Sequence, residues 1–199
     1  MRVIAGKYRS RQLKSLKGMA LRPTSDRLRE TLFNILGERV VDSWFVDAFA
    51  GTGAVGIEAL SRGAKEVVFL EKHGPAATLI KKNLESLEVI GGARVLPVDA
   101  LKGLEMLGKG SSGGGEARAI VFLDPPYANA AEYDRVLSFL GSGTLLCEGS
   151  LVIAEHGRRF ALPEAVGNLR RVRVLRQGDA TLSFYRFVEN TTEGGTAAE

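Results

Sequence analysis

The chain has 199 residues, 45% of them hydrophobic and 25% charged, with 27 Lys and Arg against 23 Asp and Glu for a formal net charge of +4. That length supports one domain with a core of its own, and the single Cys147 excludes an internal disulfide. No run approaches 18 apolar residues and the opening MRVIAGK has no apolar signal core, so no membrane span or leader is expected and the expected location is cytoplasmic.

In chain order, residues 1–18 read as two short strands around a Gly6 turn, Arg2–Ala5 and Arg11–Leu13. Thr24-Ser25-Asp26 then looks like a helix start, with Leu28, Leu32, Ile35 and Leu36 on one face and Gly37 to end it. From Trp44 the pattern alternates. Strands are expected at Trp44–Phe49, Glu66–Leu70, Ala93–Val98, Ala119–Leu123 and Ser150–Glu155. Helices are expected at Ala54–Ser61, Pro75–Leu87, Leu101–Leu107 and Glu132–Leu140. Arg171–Arg176 and Ala180–Val188 resemble a closing hairpin around Gly178-Asp179. Such alternation predicts an α/β fold with a mostly parallel sheet covered on both faces. Gly108–Gly115 (GKGSSGGG) has loop composition and Thr191–Glu199 that of a disordered tail. The expected organisation is an N-terminal extension over 1–40, a main domain over 41–189 and a tail over 190–199.

Charge is distributed unevenly. Residues 1–40 hold ten basic and three acidic residues, the remainder 17 and 20. The basic end suits an element that touches phosphates. A second group lies near the C-terminus, Arg158, Arg159, Arg170, Arg171, Arg173 and Arg176.

The first chemical signal is the strand-to-helix turn Asp47-Ala48-Phe49-Ala50-Gly51-Thr52-Gly53-Ala54-Val55-Gly56. Glycines there let a ligand approach the backbone, and ligands bind outside the carboxyl ends of parallel strands. The spacing Gly51-x-Gly53-x-x-Gly56 also satisfies the dinucleotide fingerprint, so the glycines alone separate neither an NAD-dependent oxidoreductase nor an S-adenosylmethionine enzyme. Asp47 shifts the balance, because a carboxylate before the turn suits a cationic ammonium and repels a pyrophosphate. Glu71 and Asp99, at the ends of the next two strands, are placed for ribose hydroxyls and an adenine amino group.

The most specific motif is Asp124-Pro125-Pro126-Tyr127 after the apolar strand Ile120–Leu123. Two prolines fix an extended backbone that offers acceptors and no N–H donors. Acceptors are what a base amino group needs. Hydrogen bonds from that amino group to the Asp124 carboxylate and the Pro125 carbonyl return its delocalised lone pair to nitrogen, which can then attack a sulfonium methyl. Tyr127 offers a face for stacking an extruded base. Such catalysis rests on positioning and electrostatics and needs no metal. Cys147 reads as a core filler, and His73 and His156 as ordinary polar histidines.

With RVIAGKYRSRQL, RPTSDRLRETLFNIL, DAFAGTGAVGIEALSRGA, FLEKH, DPPY and DATLSFYRF on the page, the chain resembles the RsmD family of bacterial 16S rRNA guanine-N2 methyltransferases over nearly its whole length. The resemblance implies a class I, Rossmann-like fold with a seven-stranded sheet and an N-terminal hairpin and helix. It implies S-adenosylmethionine as cofactor and a small ribosomal subunit or its assembly intermediate as partner, engaged by a monomer. The expected cofactor contacts are Asp47, Ala48, Phe49, Gly51, Thr52, Gly53, Gly56, Glu71, Lys72, Asp99 and Ala100, with catalysis at Asp124, Pro125, Pro126 and Tyr127. RNA contacts are expected at Arg2, Lys7, Arg9, Arg11, Arg22, Thr24, Arg27 and Arg29. The nearest rival is a DNA adenine-N6 or cytosine-N4 methyltransferase, which shares the DPPY chemistry but usually brings a separate target-recognition domain. A non-catalytic assembly factor is disfavoured by the intact Asp124.

Overall fold

The computed structural model describes residues 1–15, 24–109, 118–125, 130–143 and 145–189. Five parallel strands form the centre: β1 (Trp44–Asp47), β2 (Glu66–Leu70), β3 (Ala93–Leu96), β4 (Ala119–Leu123) and β5 (Leu151–Gly157). Three antiparallel strands, β6 (Ala165–Val166), β7 (Leu169–Gln177) and β8 (Ala180–Phe187), complete one sheet in the order β3-β2-β1-β4-β5-β8-β7-β6. The eighth strand is the unforeseen two-residue β6, too short to leave a periodic signal.

Alternate residues of the central strands feed two separate cores. Phe45, Phe69 and Phe122 pack with helices α1 (Asp26–Leu36), α2 (Ala54–Ser61) and α3 (Gly74–Ser86) on one face. Val46, Val68 and Val121 pack with α4 (Ala100–Lys109) and α5 (Ala130–Gly141) on the other. Burial on both faces is why β1 and β4 read as unbroken apolar runs. The predicted start of α1 holds: Ser25 Oγ accepts the Leu28 N–H at 3.1 Å, and Gly37, at φ 54°, ends the helix by donating to the Phe33 carbonyl.

The N-terminal segment makes the expected antiparallel pairing in a short form: Val3 N–H donates to the Arg11 carbonyl at 3.0 Å, Ser10 N–H to the Val3 carbonyl at 2.9 Å and Leu13 N–H to the Met1 carbonyl at 3.0 Å. Arg2 and Gln12 make a single antiparallel bridge. Four N–H groups nearer the turn go to α2: Ile4 and Ala5 donate to the Glu58 carboxylate at 2.8 and 3.0 Å, Lys7 to the Ser61 carbonyl at 2.7 Å and Tyr8 to Ser61 Oγ at 2.9 Å. Val3 and Leu13 enter the same core cluster as α1 and α2. β3 also stops two residues early, and α4 runs on through Gly108 and Lys109. The rest of the glycine-rich loop and the C-terminal tail lie outside the described residues. Among the described residues no helix is long and apolar enough to cross a membrane.

Candidate active site

Parallel strands of unequal length bring three acids to one end of the sheet. Asp47 closes β1, whose register sets it beside Phe122 of β4. Asp124 follows β4, and Leu123 pairs with Ala154 of β5, so the next residues, Asp124 and Glu155, are neighbours across the sheet. Thr24, at the foot of α1, donates its hydroxyl to Glu155 Oε2 at 2.8 Å. A cleft of about 480 Å³ opens here, lined by Asp47, Phe49, Ala50, Gly51, Thr52, Ala54, Val55, Phe122 and Asp124, with Thr24 at its wall.

The three glycines of the turn do different things. Gly51 sits at φ 51° and a Cβ there would meet only the Phe49 carbonyl, 4.0 Å away, so the backbone is bare toward the cleft. Gly53, at φ 77°, is the left-handed residue that starts α2. Gly56 does not line the cleft. A Cβ on it would fall 2.3 Å from the Phe69 ring, so its smallness lets α2 lie against β2, and its N–H donates to Asp47 Oδ2 at 3.0 Å.

Burial dominates the electrostatics. Asp47 is only 2% exposed, and desolvation pushes its carboxyl up to about 7 against the Gly56 hydrogen bond, with the Glu71 charge adding to the rise. Asp124 is raised well above the carboxylate range by burial, then by the Glu155 and Asp47 charges, with the Thr24 hydroxyl opposing. A buried acid favours its neutral form unless a cation or a hydrogen-bond donor faces it. The cleft is therefore built to receive positive charge and N–H groups.

The remaining expected contacts fall around this centre. Glu71 accepts the Gly51 N–H at 2.8 Å and the His73 N–H at 2.7 Å, bracing the glycine turn and leaving lone pairs for hydroxyls. Asp99 lies beyond β3 and caps α4 through the Leu101 N–H at 3.1 Å. Ala48 is buried and donates to the Phe122 carbonyl, Lys72 is exposed, and Ala100 is buried in the first turn of α4. None of these three lines the cleft. Pro125 is buried; Pro126 and Tyr127 lie outside the described residues, as does Arg22.

Two expected RNA contacts are corrected. Arg29 is fully buried: its Nη2 donates to the Arg2 carbonyl at 2.6 Å and to Asp26 at 3.1 Å, and its Nε lies 3.7 Å from the buried Glu58 carboxylate. It pins the N-terminal segment to α1 and α2 and offers nothing to RNA. Thr24 is likewise buried, its hydroxyl committed to Glu155. Arg2, Lys7, Arg9, Arg11 and Arg27 are exposed as expected, with Arg11 reaching the Ser86 carbonyl and Lys7 lying over the Tyr8 ring.

Glu155, 3% exposed, is a site residue that the sequence reading missed. Its signal was available, since the strand expected from sequence over Ser150–Glu155 ends on it as β1 ends on Asp47. His156, read as an ordinary polar loop histidine, is a buried strand residue paired with Ser183 Oγ at 2.9 Å, and burial lowers its pKa. Cys147 is partly exposed at a turn rather than a core filler.

Residues 1–186 match the family model described as conserved hypothetical protein 95. The ribosomal RNA small subunit methyltransferase D of Escherichia coli K12 is 33% identical over all of this chain and 94% of its own length. That of Haemophilus influenzae is 40% identical over 78% of each chain. A solved Thermus thermophilus protein, 29% identical, superposes with a TM-score of 0.74 over 94% of this chain and 99% of its own. A Salinibacter ruber RNA methyltransferase, solved with S-adenosyl-L-homocysteine, shares the fold at 16% identity, with a TM-score of 0.57 over 86% and 97%.

Proposed function

Because the chain belongs to the conserved hypothetical protein 95 family, that of ribosomal RNA small subunit methyltransferase D, we propose that it is an S-adenosylmethionine-dependent enzyme that methylates the exocyclic N2 of a guanine in 16S rRNA. The partner is the small ribosomal subunit or an assembly intermediate, met in the cytoplasm by a monomer of this chain. In this reading residues 1–40 form the RNA-facing extension and 41–189 the methyltransferase unit.

The observation that carries the chemistry is the convergence of Asp47 and Asp124 on one partly buried cleft beside the bare Gly51 backbone, with Glu155 next to Asp124 across the β4–β5 pair. This donor set fits the cofactor. Asp47 would hold its ammonium, and a cation there restores the charge that burial removes from that carboxyl. Gly51 and Phe49 would flank its methionine and ribose portions, Glu71 would take ribose hydroxyls, and Asp99 would meet the adenine. Bound there, S-adenosylmethionine supplies an electrophilic methyl on a sulfonium.

The chain's own residues do the rest. Asp124 and the Pro125 carbonyl accept the two N–H groups of the guanine amino group and fix its nitrogen in line with the methyl. Both acceptors stand in a site that excludes most water, where each hydrogen bond counts for more than in solution. As the new N–C bond forms, positive charge develops on nitrogen and Asp124 stabilises it and takes the proton. Glu155 keeps that carboxyl basic by proximity, and Thr24 holds Glu155 in place.

The test is methyl transfer from isotopically labelled S-adenosylmethionine into small subunits from cells lacking this protein, read by mass mapping of modified nucleosides. Wild type is expected to yield N2-methylguanosine at one position in 16S rRNA. Asp124→Ala is expected to lose at least 100-fold in kcat while still binding cofactor. Methyl groups found on a carbon, a ring nitrogen or duplex DNA would refute the assignment.

A further inference from the structure

A second hollow, of about 1000 Å³, lies between the segment after β5 and the β7–β8 hairpin. Its walls carry Arg158, Arg159, Phe160, Arg171 and Arg176, and His156, Thr181 and Ser183 form its floor. No Asp or Glu lines it. Arg171 serves the wall itself, donating to the Leu162 carbonyl at 2.6 Å and to Glu164 at 3.1 Å. Arg158, Arg159 and Arg176 are exposed, and none of their guanidiniums has a hydrogen-bond or ion-pair partner among the described residues.

Three unneutralised guanidiniums around one concavity repel one another, and nothing in the core requires them there. The floor adds an independent sign of a missing ligand. Thr181 is 2% exposed, and its Oγ1 has no hydrogen-bond partner among the described residues, whereas buried hydroxyls are ordinarily satisfied. Phe160 and His156 supply ring faces and edges, with centroids 6.1 Å apart. Arginine forks, a hydroxyl and aromatic rings without any acid are the donor set for phosphodiesters and stacked bases.

Position selects the source of those phosphates. Paired strands β4 and β5 share the level of Leu123 and Ala154, but β5 continues to Gly157. His156 thus stands about 7 Å beyond the level of Leu123, the last residue of β4, and about 3 Å beyond that of Asp124. Glu155 and His156 are consecutive and point to opposite faces, one to the reactive cleft and one to the hollow. Both open at the carboxyl end of β5, where phosphates flanking a base held in the cleft would pass.

We propose that the hollow formed by Arg158, Arg159, Arg176 and Thr181 is a second RNA site, which takes phosphodiester groups flanking the target nucleotide. It deepens the reading of this chain as an rRNA methyltransferase and rests on it. Its role is to orient the strand that the N-terminal basic segment attracts.

The triple variant R158A/R159A/R176A tests it, compared with wild type by binding to 16S rRNA and to small subunits across 50–300 mM salt. Each lost phosphate contact on single-stranded RNA removes about 0.7 from the slope of log affinity against log salt, so the slope is expected to fall by about 2. Affinity near 150 mM salt is expected to drop at least tenfold, KM for small subunits to rise in step, and thermal midpoint and cofactor affinity to stay at wild-type values. Wild-type RNA affinity and slope in the triple variant overturn the site. If wild type methylates no ribosomal RNA, the functional reading fails by itself, and the salt slope still decides whether the hollow holds phosphates.

Discussion

Cofactor affinity should depend on pH through Asp47. Its carboxyl is buried, titrates near 7 in the free protein, and has the Gly56 N–H as its hydrogen bond. If only the ionised form holds an ammonium, about one molecule in eleven is competent at pH 6 and about ten in eleven at pH 8. Affinity for S-adenosylhomocysteine, measured by isothermal titration calorimetry without RNA, should therefore rise about tenfold from pH 6 to pH 8 and flatten above. Asp47→Asn should remove that slope and weaken binding at pH 8 by about 10- to 100-fold, the worth of a hydrogen bond to a charged group. Stability should move the opposite way. The folded pKa lies above the unfolded value of 3.8, so the native state binds the extra proton and ligand-free stability declines as pH rises from about 4 to about 7. Saturating ligand should cancel that decline by giving the carboxylate its cation. Affinity that is flat between pH 6 and 8, or unchanged in Asp47→Asn, would refute the assigned role of Asp47.

Two substitutions separate packing from recognition. Gly56→Ala places a methyl 2.3 Å from the buried Phe69 ring. Overpacking of this kind costs about 1–3 kcal/mol, a fall of roughly 2–12 °C in Tm for a chain of this size. Adding Phe69→Leu should recover part of it, whereas a Tm held at the wild-type value with cofactor affinity lost would make Gly56 a ligand contact instead. Arg29→Met leaves Glu58 without one of its two cationic partners, so a loss of about 3–5 kcal/mol in chemical denaturation is expected. RNA affinity per folded molecule should be unchanged, and a selective RNA defect at wild-type stability would count against the buried assignment.

What could be read from sequence follows from how each residue's role is encoded. β1 and β4 were legible because strands covered on both faces must be apolar throughout, and Asp47 and Asp124 stood out as acids that end such runs at a glycine or proline turn. Glu155 is less legible because its strand runs on through His156 to Gly157, so its place beside Asp124 emerges only from the β4–β5 register. Arg29 was misread for a different reason. Its neighbours Asp26 and Arg27 are exposed, and an arginine on a basic helix is ordinarily solvated. Its burial is imposed by residues 1–15, whose backbone folds over α2 and draws on Glu58, Ser61 and the guanidinium for partners. The expected hairpin is cut short on the same physics, since the N–H groups of Ile4, Ala5, Lys7 and Tyr8 donate to oxygens of α2. Buried charge of this kind recurs at the cleft, where Asp47, Asp124 and Glu155 are held together at a cost to the free protein. A cationic methyl donor and an amino group would relieve that cost together, so stability forgone without ligands becomes selectivity for the pair that can react.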